Sequence, residues 1–493
     1  MTLDGALSIA TGGLANVNRQ MALVSQNVAN ASTPGYATQI ATQHSVTADG
    51  QGLGVHSDRA IRNIDTVLQA ELFGQNATVA GLQTRREALQ AIDSLTGTPG
   101  QGTDIASLLG RLQDQFSTLL NGPDSPPQQS QVVSTAVTLT QGINALSGGY
   151  TAQRQAAQDA IVADVTTLNT VLATISGLTD TIITLKTSSR STADLENQRD
   201  AALADLSQLL NIKVMEQPNG DLLIGGSAGL LLPIHGVTNP FAATGANVQP
   251  GAYYPGGGIT GVTLGGTDVT RQLVGGRIGA NIALRDVTLP TEQAELDEFS
   301  QNLASRFAAQ GLALFTDPLG NVPAIGVPTQ VNYVGFASTI QVNPAVQATA
   351  SLVRDGTAAV PTGLAGFTGI IQDVLTFTFG ANQAVGVPQP LSNTSGLGAA
   401  GNLRAPYVAP LTLAGIVTTV LASQAQESAT ASAQSDTEQA VQTSLAGKLS
   451  ARSGVNMDTE MSHMIQLQNA YGANARVMSV VQAMWSQLLQ SVR

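Results

Sequence analysis

Near the start of the chain, apolar and small residues fall at Leu3, Leu7, Ala10, Leu14, Val17, Met21, Val24 and Val28, in steps of four and three without a slip. That spacing predicts a helix with a coiled-coil seam, narrower than a general amphipathic face. The helix is expected to stop at Thr33-Pro34-Gly35-Tyr36. Pro34 pushes Thr33 into an extended conformation and sets its own φ for a turn, and Gly35 accepts the positive φ of the next position. Asn27 and Asn30 are placed to cap the last carbonyls, and Tyr36 to anchor the turn by packing with its hydroxyl paired. The other end of the chain has a matching pattern. Met457, Met464, Tyr471, Met478, Trp485 and Val492 stand seven apart, with Met461, Ala475 and Leu489 at the alternate position and Gln468 and Gln482 as polar exceptions. Isolated helices of this length are marginal in water, so each seam needs a partner, either the other terminus or a neighbouring subunit.

Between the ends the period changes more than once. "TADGQGLGV" (Thr47 to Val55) reads as a Gly-rich connector. From Ile61 helical spacing runs through Ile64, Leu68, Leu72, Val79, Leu82, Leu89 and Ile92 to a break at Thr96 to Asp104. Ile105 to Leu120 form a second helix, and Ser125 before Pro126 and Pro127 opens a long third one. Its seam is Ile161, Val165, Leu168, Leu172, Ile175 and Ile182, and Asp194 to Leu210 add a short helix. At Asn211 the period drops to about two, and Asn219-Gly220 predicts a hairpin. Residues 211 to about 288 suggest a small β domain. Helix returns over Leu289 to Phe315, residues 320 to 410 mix short strands with Pro/Gly loops, and a last helical region runs from Leu411 with a break at Ser450 to Asn456. The reading is an α+β multidomain chain: N- and C-terminal helices paired in a coiled-coil or helical-bundle core, with β-rich outer domains inserted. Its parts are 1–45 with 453–493; 56–210 with 289–320 and 411–452; and 211–288 with 321–410.

With 493 residues the chain has room for two to four domains of ~100–200 residues. A net charge of −12 with 21 Lys plus Arg offers no basic surface for nucleic acid or anionic lipid. No run reaches the ~18 uninterrupted apolar residues of a membrane span, and a cationic region followed by an apolar one is absent at the N-terminus. Work outside the cell would then require export without a cleaved signal peptide. Zero cysteines excludes disulfides and thiolate metal sites, and His44, His56, His235 and His463 show no pair at ligand spacing. No metal, cofactor or catalytic residue is expected.

Two motifs suggest chemistry and lack its context. Gly225-Gly226-Ser227-Ala228-Gly229 matches a hydrolase nucleophile elbow, but the following "LLLPIHG" is too short for the required helix, so a Gly-rich β turn is the better reading. Gly256-Gly257-Gly258-Ile259-Thr260-Gly261 matches a dinucleotide fingerprint without a βαβ unit around it. Glu292, Glu295, Asp297 and Glu298 read as a solvated helix face and not as paired acid and base. His463 reads as a solvent-facing or seam-flanking helix residue, and Trp485 as a core or subunit-interface one.

Ser25 to Tyr36, "SQNVANASTPGY", resembles the N-terminal signature of bacterial flagellar rod, hook and hook-associated proteins, and Ser453 to Leu489 resembles their C-terminal one. Ala193 to Gly229, Leu296 to Phe315 and Ala337 to Val346 resemble segments of the hook-associated protein 1 family. Where that family often has Ser-Arg-Gln after the tyrosine, this chain has Ala37-Thr38-Gln39. "SGVN" at Ser453 to Asn456 and the long helical block argue against hook or distal rod protein, the nearest alternative. A secreted coiled-coil adhesin is the alternative from another class. The resemblance implies a structural adaptor between hook and filament on the extracellular flagellum, exported unfolded by the flagellar type III pathway. Its implied partners are copies of itself in a ring or tube layer, the hook protein, the second junction protein (hook-associated protein 3) and a cytosolic export chaperone. The chaperone would read the apolar stripe Met457, Met461, Met464, Tyr471, Met478, Trp485 and Leu489. The Asn27-to-Tyr36 element would turn the chain out of the tube's inner layer.

Overall fold

The computed structural model describes residues 3–48, 51–97, 102–236, 238–324, 330–358 and 366–491. Val492, of the C-terminal pattern, lies outside them, as does the side chain of Leu3. The chain is α+β, with long helices at both ends and small antiparallel sheets inserted between them. It divides into two compact units: residues 1–79, 167–240 and 438–493, and residues 80–166 and 241–437.

The first unit opens with helix α1 (Leu3–Ala29), followed by strands β1 (Gln39–Ile40), β2 (Gln43–Ala48), β3 (Gln51–Ser57) and β4 (Ile61–Arg62). β1 pairs with β4 and β2 with β3. The segment read as a Gly-rich connector is thus part of a hairpin: Gly52 and Gly54 pair with Thr47 and Val46, and the β-branched positions Val46, Thr47 and Val55 extend into strands. Helix α2 (Thr66–Thr96) begins at Asp65, whose carboxylate accepts from Leu68 N, and not at Ile61. Helices α3 (Ile105–Asn121), in the second unit, α4 (Pro126–Thr187), whose residues 126–166 belong to the second unit and the rest to the first, and α5 (Ala193–Leu209), in the first, follow. α4 is long and apolar enough to cross a membrane, but its seam residues Ile161, Val165, Leu168, Leu172, Ile175 and Ile182 are all buried inside the protein. β5 (Ile212–Glu216), β6 (Leu222–Gly226) and β7 (Leu231–Leu232) make a three-stranded sheet around the expected turn, with Gly220 at φ +93°. Ser227 lies exposed in the tight turn between β6 and β7, where Gly229 has φ +81°.

In the second unit, β8 (Phe241–Ala242), β9 (Thr263–Leu264) and β10 (Thr267–Asp268) form a small sheet. Helix then begins earlier than the sequence suggests, at α6 (Gly276–Ala283), and runs through a wide turn at Leu284–Thr288 into α7 (Leu289–Ala309). Pro290 explains the turn: without an N–H, and with a ring that crowds the carbonyl four residues back, it forces local widening where an ordinary helix would break. Strands β11 (Phe315–Thr316) and β12 (Gln341–Val342) pair around helix α8 (Phe336–Thr339), and short helices α9 (Pro344–Ala348), α10 (Leu352–Asp355) and α11 (Gly369–Asp373) follow. The hairpins β13 (Asn382–Ala384) with β14 (Val387–Pro388), and β15 (Ser395–Leu397) with β16 (Leu403–Arg404), precede helix α12 (Leu413–Ser453). Helix α13 (Met457–Ser491) closes the first unit.

The core of the second unit surrounds α7. Phe307 stacks edge-on against Phe315 and Phe379, with ring centroids 5.3 and 5.7 Å away, and Phe116 lies at 5.7 Å. α7 is therefore not a solvated helix. Glu292, Glu295, Asp297 and Glu298 are all buried, because the helix is enclosed on every side by other elements of its unit.

Candidate assembly site at the paired termini

α1 and α13 pack against one another as antiparallel helices: Gly13 adjoins the Asn474 side chain, and Thr38, past the end of α1, bonds to Ser453, just before α13 begins. On α1 the sequence pattern holds in space. Ala10, Val17 and Val24 are buried, and Leu7, Leu14, Met21 and Val28 flank them half-buried.

On α13 one half of the expected seam shifts. Met464, Met478 and Trp485 are half-buried as expected, but the second row is Glu460, Leu467, Asn474 and Val481, while of the expected Met461, Gln468, Ala475, Gln482 and Leu489 Ala475 alone is half-buried. Met457, Met461, Tyr471 and Leu489 are exposed, Leu489 by 62%. In a heptad the second seam row lies three residues after the first, and there the polar Asn474 and the acid Glu460 hide it from a hydrophobicity count. Asn474 fits because Gly13 has no side chain: a Cβ there would come within 3.2 Å of the amide. Apolar residues of α13 left outside include two short strips at i, i+4 spacing, Met457, Met461 and Ile465 near its start and Val480, Met484 and Leu488 near its end, the second about 140° further round the helix than the first.

The turn after α1 is built from side-chain to backbone bonds. Asn30 Nδ2 donates to Gln26 O at 2.9 Å, capping the helix. Asn27 does something else. It is buried, its Nδ2 donates to Gln39 O (3.0 Å), and its Oδ1 accepts from both Gln39 N and the Tyr36 hydroxyl (3.1 Å each). Asn27 thus acts as a backbone substitute for a strand neighbour of β1 and not as a helix cap. Thr33, Pro34 and Gly35 are exposed at the tip, Gly35 with φ +75°, and Thr33 Oγ1 lies 3.3 Å from Asn30 Oδ1. Burial, with the nearby Asp194 and Glu460 carboxylates, pushes the Tyr36 hydroxyl up to about 12, so it stays a neutral donor.

Sequence reasoning missed what the turn rests on. Asp194, in the first turn of α5, accepts from the side-chain amides of Gln26 and Gln39, both at 2.5 Å. Asn197, one turn on, donates to Ala37 O and accepts from Ala37 N. Arg62 on β4 then joins α5 through Glu196 and Asp200, all three side chains nearly buried. Thr38 N donates to Ser453 O at 2.7 Å and Thr38 Oγ1 to Gly454 O at 2.6 Å, so the two chain breaks foreseen separately meet. The only signal for this in the sequence is the density of short polar residues in Asp194 to Asp200.

The β2–β3 pairing also sets His44 opposite His56, which linear spacing does not reveal, and His44 Nε2 lies 2.5 Å from Asp58 Oδ2. Among the described residues no group of three His, Cys, Asp or Glu side chains is arranged to hold a metal ion. His463 is exposed.

Two family models match the chain: Flagellar hook-associated protein FlgK helical domain over residues 89–315, and Flagellar basal body rod FlgEFG protein C-terminal over residues 447–491. The chain is similar to flagellar hook-associated protein 1 of Salmonella typhimurium, 24% identical over 329 residues, covering 62% of this chain and 56% of the relative. It is also similar to the Escherichia coli protein of that name, 23% identical over 328 residues, covering 64% and 58%. The match thus spans little more than half the length of these relatives. A solved structure, the flagellar hook junction protein FlgK from Burkholderia pseudomallei, aligns with TM-score 0.42 and 24% identity over 52% of this chain and 47% of that one. Residues 89–315 thus match the helical domain of the flagellar hook-associated protein FlgK and residues 447–491 the C-terminal domain of flagellar rod proteins, and the chain is similar to flagellar hook-associated protein 1 over more than half of its length.

Proposed function

We propose that the protein is a non-enzymatic structural adaptor that joins the flagellar hook to the filament, with 1–45 and 453–493 forming the layer through which copies stack. The observation that carries this reading is α13 itself: it packs on α1 and still presents two apolar strips, Met457, Met461 and Ile465 and then Val480, Met484 and Leu488, to solvent. A folded pair of helices with apolar strips left open is suited to further helical partners. Copies of the same chain, then the hook protein below and hook-associated protein 3 above, are the partners in this reading. Before export on the flagellar pathway, the same adaptable methionine-rich strips would sit on a cytosolic chaperone.

The test is to image flagella from a strain lacking the gene, complemented with wild type, Met461→Asp or Met464→Asp. Hooks without filaments in the deletion strain support the junction role. Met461→Asp, on the first open strip, should leave the purified protein folded and still abolish filament attachment. Met464→Asp, facing α1, should in addition loosen the α1–α13 pair. Full-length filaments from the Met461→Asp strain would remove that strip from the mechanism.

A further inference from the structure

Helix α7 carries four carboxyl groups within seven residues, and the structure divides them into two pairs. Asp297 and Glu298 are supplied with donors: Gly335 N (2.7 Å), Ala337 N (2.8 Å) and Gln293 Nε2 (3.0 Å) for Asp297, and the Tyr333 hydroxyl (2.7 Å), Asn393 N (2.7 Å) and Gln330 Nε2 (3.1 Å) for Glu298. Glu292 and Glu295 are as deeply buried, at 3% and 2% exposed, yet both oxygens of Glu292 and Oε1 of Glu295 have no hydrogen-bond partner.

The groups around this second pair do not neutralise it. α2 brings Arg85 and Asp93, α12 brings Glu427, α4 brings Tyr150, and the segment before α12 brings Tyr407. Arg85, the cation of the group, donates to Glu427 at 2.6 Å, and Asp93 is taken up by the Ser428 hydroxyl. The Tyr150 hydroxyl and both polar atoms of the buried Gln424 amide likewise lack a well-formed hydrogen bond. A carboxylate without donors, beside a second one and facing a third, is strongly disfavoured in such a place, whereas the neutral acid is tolerated. Burial, reinforced by Glu427, pushes Glu295 up to about 8. Burial with Glu427, Glu295 and Asp93 drives Glu292 well above the carboxylate range, against the pull of Arg85.

We propose that this cluster is a proton-held lock within the second unit: Glu292 and Glu295 close α7 against α2, α4 and α12 as neutral acids, and loss of their protons releases α7. An acid held above its free value retains its proton in the folded state after the unfolded chain has lost it. The stabilisation is therefore complete below about pH 4.5, declines as pH rises, and for Glu295 is lost once pH passes about 8. Through that window the local closing equilibrium falls about tenfold per pH unit for each retained proton. Glu292, held up in the same way, adds to the decline in the same direction.

The test is hydrogen exchange by mass spectrometry on the full chain at pH 6 and pH 9, with labelling times scaled to the intrinsic exchange rate. Peptides from α7 should lose at least tenfold in protection between the two, while peptides from α5, in the other unit, should not change. The double variant Glu292→Gln, Glu295→Gln should lose at least tenfold less α7 protection than wild type between the two pH values, its remaining loss coming from Asp297, which burial pushes up to about 7. Equal protection of wild-type α7 at both pH values, or an equal loss in the double variant, overturns the lock. If the variant does not fold, infrared spectroscopy compares wild type with Asp297→Asn at pH 7: a carbonyl stretch from protonated carboxylic acid that persists in Asp297→Asn supports the proposal, and its absence there overturns it.

Discussion

Replacing Asn27 by alanine tests whether the turn after α1 is held by that one amide. The side chain forms three hydrogen bonds, two to the backbone of Gln39 and one from Tyr36, at 3.0 to 3.1 Å. The Asn27→Ala change would leave the N–H and C=O of Gln39 unpartnered where the residue is only 3% exposed. Each buried, unsatisfied backbone group costs about 1–3 kcal/mol, so the loss is about 2–6 kcal/mol. Tyr36→Phe is the internal comparison. It removes one bond and leaves Gln39 N on the Asn27 oxygen, which limits its cost to about 0.5–1.5 kcal/mol. The assay is hydrogen exchange of peptides covering residues 26–40 in the purified protein. A local loss of at least ~2 kcal/mol raises exchange about thirtyfold in Asn27→Ala, against roughly tenfold or less in Tyr36→Phe. If Asn27→Ala exchanged less than threefold faster than wild type, or no faster than Tyr36→Phe, the amide would not be what holds the turn.

Gly35 has φ +75° with open space around it, so Gly35→Val meets no clash and carries only backbone strain of about 1–2 kcal/mol. Its urea midpoint should drop slightly while complementation of filament growth fails, because the exit direction of the chain is altered. Arg62→Ala leaves Glu196 and Asp200 side by side with almost no solvent, and should cost about 3–5 kcal/mol in urea unfolding of the first unit. Burial alone would push Glu196 up, but Arg62, Thr192 and Lys186 hold it below the ordinary Glu range. That part of the stability is present above the ordinary value and disappears as pH falls through the lowered one, so the cost of Arg62→Ala should shrink in acid.

The sequence alone determined the parts of this protein in which local chemistry and periodicity agree. The α1 seam, the Pro34-Gly35 stop, the Asn219-Gly220 hairpin and the break before Met457 all depend on residues within a few positions of each other, so a linear pattern carries them. Tertiary structure decided everything that depended on which polar residue meets which. Asn474 lies in the α13 seam because Gly13 makes room for it, while Met461, the more apolar candidate, remains outside. Asn27 is drawn from helix capping to the backbone of Gln39 because β1 passes beside it, and Asp194, 155 residues further along, accepts from the Gln39 side chain. The greatest reversal is α7, whose alternating acids have the composition of a solvated face. No local preference buries a carboxyl; only the surrounding helices could enclose Glu292 and Glu295, and that enclosure, by stripping away water, gives them a chemistry the sequence could not express.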